Sequence, residues 1–572
     1  MILRRELKDC ALLALLGLAA CTGRIDRAGP QAGASGAGGG GTPGVSGAGA
    51  ATVVTGTGGA AGPACAPGAS FAQARLTLLS DQQYRNVVHD AFGVTFPATV
   101  DVTSPPSGSG AYSFNENAEL ETTTVQAYLR AADQVASLLM ATPLAPCAVG
   151  AVDATCLEAY LRTTLPLAWR RPVTDAELAG LLAIFNAAAP DGQTRQVQLT
   201  IEAALVHPAF LYRTEIGTNA ATATGKITLT PYELASAVSF ALVSSSPDAP
   251  LFAAAADGSV TRPDVLAAQV ARLMALPAAR ANLMKKVSYY LDFEMLPFVQ
   301  KDATAYPGFA ALQGTLYQSA QLFLNDVMWS GHFGDLFTSR TIYANQAMAA
   351  AYGLPAVTGA ALQAISTTGD AYGAGVLTQP ALLAASNKNA IGDDVIHRGL
   401  WVYYNLLCAP VLPPPPANAN TVAATITGST RQQATTRDTT CGAACHGRFD
   451  PFGLATLSYD GIGRYRTTDP TTTPPGGPED DSATVIPGVL AGAGSSPVTI
   501  MGASDVARLF GQGRQVSDCA ADYLATYTLD HSPDAQNSCE LQTIKDRFGQ
   551  SGSFPDLFLS ILTSPAFLTR DP

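Results

Sequence analysis

Apolar residues recur every three or four positions along most of the chain, which is the spacing of one face of a helix. The first such run follows Ser80-x-x-Gln83, a capping box, and Gly93 marks its end. Thr174 begins a second helix with the same box, and Thr230 begins a third with proline at its first position. Alternation of apolar and polar residues, typical of strands, is scarce. The pattern predicts a mainly α, multi-domain helical protein with short β excursions.

The 572 residues are enough for three or more domains. Helical blocks, loops rich in proline or glycine and changes of composition divide the chain into seven segments. In order, these are a signal peptide at 1–21, a flexible Gly/Ala/Ser/Pro tether at 22–70, an N-terminal helical domain at 71–145, a small helical domain at 146–220, a central helical domain at 221–370, a Cys/His domain at 371–495 and a C-terminal helical domain at 496–572.

The N-terminus has the features of a bacterial export signal. Arg4, Arg5 and Lys8 make a basic start, and residues 11–20 form an apolar stretch that is too short to span a membrane. The stretch ends in Leu-Ala-Ala-Cys, which resembles a lipobox, so we expect cleavage before Cys21 and diacylglycerol on its sulfur. The alternative is an ordinary signal peptide that is cut nearby. We favour the lipoprotein because the tether follows at once.

The lipid anchor and the overall charge indicate the partners of the protein. Two lipid chains hold a protein firmly at a membrane surface. We therefore expect an exported lipoprotein of the cell envelope, anchored to the outer membrane and located in the periplasm or at the cell surface. The net charge of −12 and the lack of a basic run argue against nucleic acid as a partner.

Two thiols and an imidazole lie within six residues, at Cys441, Cys445 and His446. Two cysteines followed directly by a histidine are typical of covalent c-type haem attachment, in which the sulfurs add to the haem vinyl groups and the histidine coordinates the iron. Here three residues separate the cysteines instead of two, so the site is a looser variant. Two other interpretations stay open: a small Cys441–Cys445 disulfide, or part of a zinc site that has no second Cys/His pair nearby.

Two arginines follow this site and are candidate contacts for a haem. A planar guanidinium pairs with a carboxylate in a bidentate way, and the haem propionates are carboxylates. We therefore expect at least one of Arg464 and Arg466 to contact a propionate. The alternative is a salt bridge to Asp450 or Asp460.

Met501 is the candidate sixth ligand of the iron, because methionine is a common axial partner of histidine and raises the haem potential. His397 is the second choice, and an open position is the third. Plain core packing is the alternative role for Met501.

The other cysteines indicate an oxidising compartment. Cys10 is removed with the signal and Cys21 is lipidated, which leaves eight of the ten cysteines. An even number in an exported chain predicts disulfides. With Cys441 and Cys445 carrying haem, we expect three bridges, Cys147–Cys156, Cys519–Cys539 and Cys65–Cys408.

Other catalytic signatures do not occur in the sequence. There is no G-x-S-x-G elbow, no H-E-x-x-H pair and no G-x-x-x-x-G-K-[ST] loop. The six histidines are too few to indicate a multi-haem wire or a His-rich metal site. Whether the protein is an enzyme stays open.

Motifs along the whole chain resemble those of a known family. They are Arg75-Leu76-Thr77, Trp169-Arg170-Arg171-Pro172, Leu229-Thr230-Pro231-Tyr232-Glu233-Leu234-Ala235, His397-Arg398-Gly399, Leu406-Leu407-Cys408 with its proline run, Cys441–His446, Asp450-Pro451-Phe452-Gly453 and Tyr459-Asp460-x-x-Gly463-x-Tyr465-Arg466. In this order they resemble a family of exported proteins from planctomycetes and myxobacteria. That family is built from domains of unknown function 1587, 1595, 1592, 1588 and 1585.

The resemblance extends over nearly everything from Arg75 to Arg570. It implies the multi-domain architecture and a small segment like a c-type cytochrome, with haem c as the cofactor, but it implies no substrate. We therefore expect a lipid-anchored envelope haem protein that acts in electron transfer or as a redox subunit, with an envelope redox partner. The alternatives are a haem-free binding or scaffold lipoprotein with a Cys441–Cys445 disulfide, and a haem-dependent oxidase or peroxidase.

Overall fold

A computed structural model describes residues 72–95, 97, 122–141, 144, 147, 152–218, 225–369, 371–410, 412, 427–440, 445–472, 475–491, 495–529 and 538–572. Helices dominate these residues, and the strands form short pairs, which confirms the predicted mainly α fold. The predicted signal peptide, the whole of the tether, and Cys21, Cys65 and Cys441 lie outside the described residues. The domain boundaries stay a prediction.

The first helices build one hydrophobic cluster. They are α1 (Asp81–Phe92), α2 (Thr122–Leu139), α3 (Ala154–Trp169), α4 (Asp175–Ala187), α5 (Gln193–Val206) and α6 (Pro208–Leu211). The predicted capping box is formed at α1, where the backbone N–H of Gln83 donates to Ser80 Oγ at 3.2 Å and Gln83 Oε1 accepts from the Ser80 N–H at 3.1 Å. Tyr84 lies in the centre of the cluster, fully buried, with its ring 5.1 Å from that of Phe210.

A second, larger cluster holds nearly all of the remaining helices. Its first part contains α7 (Pro231–Val243), α8 (Ala249–Ala256), α9 (Pro263–Met274), α10 (Pro277–Tyr290), α11 (Phe309–Trp329), α12 (Asp335–Thr338) and α13 (Gln346–Tyr352). Its second part contains α14 (Pro380–Ser386), α15 (Val395–Trp401), α17 (His446–Leu454), α18 (Ala503–Gln512), α19 (Gln515–Leu529), α20 (Cys539–Ser551), α21 (Phe554–Leu562) and α22 (Pro565–Leu568). Helix α16 (Thr430–Thr440) instead contributes Ala434 to a small third cluster with Val395, Leu454 and Leu457. Short 3₁₀ segments occur at Ala189–Asp191, Ser259–Thr261, Phe293–Phe298 and Gly375–Thr378, and a π-helical segment, Val402–Leu406, continues α15.

The strands pair two by two and antiparallel. The pairs are β1 (Arg75–Leu78) with β2 (Tyr212–Glu215), β3 (Ile227–Thr228) with β10 (Thr569–Arg570), β4 (Thr341–Ala344) with β5 (Gln363–Ser366), β6 (Thr468–Asp469) with β7 (Gly477–Pro478), and β8 (Ala483–Val485) with β9 (Val498–Ile500). Sheet pairing therefore joins segments that are far apart in sequence, such as β3 and β10.

A buried carboxylate joins the beginning and the end of the described chain. Glu215 Oε2 accepts from Arg75 Nε at 2.9 Å and from Arg570 Nη2 at 2.6 Å. Arg570 is 1% exposed and Glu215 is 2% exposed. The nearby arginines hold the pKa of Glu215 well below its usual range although burial opposes this. The network fixes β1, β2 and β10 relative to one another.

The disulfides confirm one of the predicted cysteine pairs and contradict the other two. Cys147 and Cys156 are bonded, as predicted. Cys408, however, is bonded to Cys519, so the predicted pairs Cys519–Cys539 and Cys65–Cys408 are wrong. The π-helical segment leads Cys408 to α19, and this long-range approach outweighs the closeness of Cys519 and Cys539 in sequence. Cys539 also forms a disulfide.

Among the helices that the structure describes, none is long and apolar enough to cross a membrane.

Candidate functional site

The site is built on the close crossing of α15 and α17, the two helices that carry the His-Arg-Gly and Asp-Pro-Phe-Gly motifs. A Cβ atom at Gly399 would overlap the carbonyl oxygen of Phe449, and a Cβ at Gly453 would overlap that of Val395. Glycine at both positions lets the two backbones approach to direct contact. Because Val395 meets Gly453 while Gly399 meets Phe449, the helices run antiparallel. His446 therefore begins α17 beside the C-terminal end of α15.

Arg398 locks this crossing from within. Its guanidinium is buried and donates to the backbone carbonyls of Tyr459 at 2.8 Å and Asp460 at 2.5 Å. These carbonyls belong to the turn that follows α17. A planar group with five donors can hold several carbonyls at once, which explains why arginine stands at this position.

His446 is held by a carboxylate one helical turn further along α17. Its Nδ1 lies 3.3 Å from Asp450, which is fully buried, and Arg437 Nε on α16 lies 3.4 Å from the same carboxylate. The His446 side chain is 18% exposed, and its ring centroid lies 5.0 Å from that of Phe449. Asp450 thus orients the imidazole, and Arg437 orients Asp450 and balances its charge.

The contact with Asp450 determines which ring nitrogen of His446 can bind a metal or exchange a proton. A proton on Nδ1 is shared with Asp450, so Nε2 keeps its lone pair for a metal or an acid–base role. Metal-binding histidines are commonly oriented by such a carboxylate on the other nitrogen. The thiol of Cys445 precedes the imidazole directly and is not in a disulfide. A free thiol and an oriented imidazole therefore lie at the start of one helix.

A second carboxylate lies near this pair. Asp438 on α16 has one buried oxygen without a hydrogen-bond partner among the described residues. Burial, together with the charge of Asp450, raises the pKa of Asp438 to about 6.

The two arginines that were predicted to contact a propionate are both engaged with carboxylates. Arg464 Nε lies 2.7 Å from Asp460, which is the alternative considered from the sequence. Arg466 lies 2.6 Å from Asp393 and 2.5 Å from Glu479. Contact of either one with a haem propionate stays a prediction.

The two candidates for a sixth ligand lie in different surroundings. Met501 follows β9, is 70% exposed and lines a cleft of about 320 Å³ together with Asp481 and Tyr465. His397 on α15 is about half exposed, and its Nδ1 lies 2.8 Å from the buried carboxylate of Asp394. In the described ranges, no cluster of three or more His, Cys, Asp or Glu side chains is arranged to hold a metal ion.

The sequence did not identify the partners of His446. Asp450 was considered only as part of a family motif and as a salt-bridge partner for Arg464 or Arg466, yet its position four residues after His446 on a helix is the spacing of facing side chains. That signal could have found it. Arg437 lies on a different helix, and no local pattern indicates its contact with Asp450.

Four protein families match the chain, each described as a protein of unknown function. They are PSD3 (DUF1587) at residues 77–141, PSD5 (DUF1595) at 156–215, PSD4 (DUF1592) at 229–354 and PSCyt3 (DUF1588) at 373–469. Their order along the chain confirms the resemblance found in the motifs. The last match contains Cys445 and His446, and its name points to a cytochrome-like segment. No curated protein and no solved structure matches the chain.

Proposed function

We propose that this chain, which belongs to the family of multi-domain proteins built from domains of unknown function 1587, 1595, 1592 and 1588, is a lipid-anchored haem protein of the cell envelope that transfers electrons. The observation that carries the proposal is the unpaired thiol of Cys445 next to the oriented imidazole of His446. Both residues lie within the segment that matches PSCyt3, a family whose name points to a cytochrome, and this supports the same interpretation.

The residues present fit a c-type haem. Cys445, with Cys441 outside the described residues, would hold the haem through thioether bonds, and His446 would bind the iron through Nε2. A bound haem would supply a one-electron redox centre. The chain itself contributes the orientation of His446 through Asp450, and the position of Asp450 through Arg437. Met501, with His397 as the second choice, stays our proposal for the sixth ligand.

The haem-free alternative makes a different use of the same cysteines. It requires a disulfide between Cys441 and Cys445, but Cys445 is not disulfide-bonded. The structure therefore gives this alternative no support at that position.

Covalent haem is the first test of the proposal. The protein is expressed with the haem-attachment machinery, denatured, separated by electrophoresis and stained for haem, and its pyridine haemochrome spectrum is recorded. We expect a stained band and a spectrum of thioether-linked haem. Cys445→Ser should shift the haemochrome band, because one thioether is lost, and His446→Ala should remove the iron ligand and the native spectrum.

The matched control is His89→Gln, since His89 also lies beside an aspartate but is 62% exposed on α1. It should leave both spectra unchanged. Wild-type protein without any covalent haem, in cells that mature a reference cytochrome, would refute the proposal. If haem is attached, carbon monoxide then distinguishes electron transfer from oxidase or peroxidase chemistry, because binding of the gas requires an open iron face.

The lipid anchor needs its own test. We expect radiolabelled palmitate to enter the wild-type protein and to be absent from Cys21→Ser, which should appear in the soluble periplasmic fraction. Cys10→Ser is the matched control and should still be labelled. Equal labelling of wild type and Cys21→Ser would contradict the assignment of Cys21 as the anchor.

A further inference from the structure

A second cleft lies far along the chain from the haem-like segment. It has a volume of about 600 Å³ and is lined by residues from two of the matched segments, 156–215 and 229–354, by Ile216 and Gly217 between them, and by Leu76 of β1. Ligand sites of this size, between 300 and 1,000 Å³, are frequent where two domains meet. The Trp-Arg-Arg-Pro and Leu-Thr-Pro-Tyr-Glu motifs both contribute to its walls.

An aromatic pair forms one wall of the cleft. The rings of Trp169 and His207 are stacked, with centroids 4.3 Å apart and planes inclined by 16°. His207 Nδ1 accepts from the backbone N–H of Ala209 at 3.1 Å, so the neutral ring carries its proton on Nε2. Burial lowers the pKa of His207, which keeps this ring neutral at pH 7. The wall is therefore planar and aromatic, and the guanidinium of Arg171 lies over the Trp169 ring at 5.9 Å from its centroid.

The charged side chains of the cleft already have hydrogen-bond partners within the protein. Arg171 makes a bidentate pair with Glu177, at 2.6 and 3.1 Å. The guanidinium of Arg170 donates hydrogen bonds to backbone carbonyls, including that of Tyr212 at 2.8 Å. The carboxylate of Glu233 accepts the backbone N–H groups of its own capping box and of Ile216, at 2.9 Å in each case. The hydrogen-bonding capacity of these three side chains is therefore largely used within the protein.

A buried hydroxyl in the cleft is open to a ligand. Ser236 on α7 lines the cleft and is 5% exposed, and its hydroxyl has no hydrogen-bond partner among the described residues. A buried hydroxyl without a partner costs free energy, which a ligand atom that bonds to it would recover.

Two exposed apolar side chains lie side by side at the rim of the cleft. Leu76 is 54% exposed and Ile216 is 51% exposed, which places them among the most exposed large apolar side chains of the described chain. They come from β1 and from the residue after β2. Apolar side chains at the mouth of a cleft favour an apolar ligand, since they lose water when it binds.

We propose that this cleft binds an uncharged, planar apolar small molecule with one hydrogen-bonding oxygen. The aromatic wall and the apolar rim contact its flat body, Ser236 bonds to its oxygen, and the charged side chains already have their hydrogen-bond partners within the protein. The site is separate from the haem proposal and does not depend on it.

Prodan, a neutral naphthalene ketone whose emission reports polarity and hydrogen bonding, is the probe for the test. The full chain carrying Cys21→Ser is used, because detergent micelles would bind the dye themselves. We expect saturable binding, emission shifted to the blue and quenching of tryptophan fluorescence. Ile216→Glu should weaken binding at least tenfold by placing a charge at the rim, and Ser236→Ala should weaken it about threefold or more.

Two matched variants control for general effects. Ser239→Ala removes another buried hydroxyl without a partner from α7, and Ile391→Glu places a charge on another exposed isoleucine; neither residue lines the cleft. Both should bind Prodan as the parent does. Absence of saturable binding, or binding that survives Ile216→Glu, would overturn the site. If Ser236→Ala binds as tightly as the parent, the assignment of the ligand oxygen to Ser236 is overturned.

Discussion

Gly399 of α15 lies directly against the carbonyl oxygen of Phe449 in α17, with no room for a Cβ atom between them. The contact brings together two motifs that are fifty residues apart in sequence (449 − 399 = 50). It sets the register of the crossing and hence the place where α17 begins, at His446. Gly399 and Gly453 therefore act through close packing of the two helices, and this packing sets the position of the site.

Replacement of Gly399 by alanine should separate the two helices. The methyl group would overlap backbone atoms, which cannot turn away as a side chain does, so we expect a loss of at least about 2 kcal/mol in the free energy of unfolding. Urea denaturation followed by circular dichroism measures this. Gly180→Ala, in an exposed part of α4 with nothing within 4 Å of its Cβ position, should instead stabilise by up to about 1 kcal/mol. Equal effects of both variants would contradict the packing role.

The two described disulfides should differ in their contribution to stability. Cys408 and Cys519 are 111 residues apart, whereas Cys147 and Cys156 are 9 residues apart. In the chain-entropy model the long loop corresponds to about 5 kcal/mol and the short loop to about 3 kcal/mol. We therefore expect the double variant Cys408→Ser/Cys519→Ser to lose more stability than Cys147→Ser/Cys156→Ser. The measurement is denaturant unfolding without reductant, and a larger loss from the short loop would refute this ranking.

Local signals in the sequence predicted much of the helical framework. The capping boxes at Ser80, Thr174 and Thr230 are all formed, because each needs only residues within one turn. The Pro-Ala-Phe-Leu sequence occurs twice, at 208–211 and 565–568. Both copies do form a helical turn followed by a strand, α6 with β2 and α22 with β10.

Long-range relationships could not be predicted in this way. The Cys408–Cys519 bond depends on how the π-helical segment meets α19, and closeness in sequence pointed to Cys539 instead. The contact of Arg437 with Asp450 likewise joins two helices with no shared pattern. The sequence located the Cys445–His446 pair, but tertiary packing decides which groups orient it.

The ion-pair network around Glu215 should make the free energy of unfolding decrease at acidic pH. Glu215→Gln leaves Arg570 buried without a charge partner, so we expect a loss of about 3–5 kcal/mol at pH 7. Since the folded-state pKa of Glu215 lies below its usual value of about 4.3, its stabilisation is complete above that value and is lost as the pH falls below it. The difference between wild type and variant should therefore shrink toward pH 3.

Glu158→Gln is the control for this prediction. Glu158 pairs with Arg162 at the surface, 37% exposed, so its loss should change the free energy of unfolding by less than about 1 kcal/mol at any pH. Unfolding by denaturant at pH 3, 5 and 7 gives the comparison. A constant difference for Glu215→Gln across this range would show that its charge is not what stabilises the fold.

Asp450 orients His446, and its replacement tests whether this histidine acts on a haem iron. Asp450→Asn keeps an oxygen for Nδ1–H and nearly the same volume, but it removes the buried negative charge. A carboxylate partner makes a ligating imidazole more electron-rich, which favours the oxidised iron. If His446 binds haem iron, the variant should still carry covalent haem, and its midpoint potential in a redox titration should become more positive.

Asp394→Asn is the matched control, because Asp394 is also a buried carboxylate that contacts Nδ1 of a histidine on a helix, at 2.8 Å from His397. When Met501 is the sixth ligand, this variant should leave the potential unchanged, and a shift would indicate His397 instead. An unchanged potential in Asp450→Asn, with haem attached, would mean that Asp450 does not act on the iron through His446. A loss of haem in Asp450→Asn but not in Asp394→Asn would show that Asp450 is needed earlier, to present the Cys445–His446 segment for attachment.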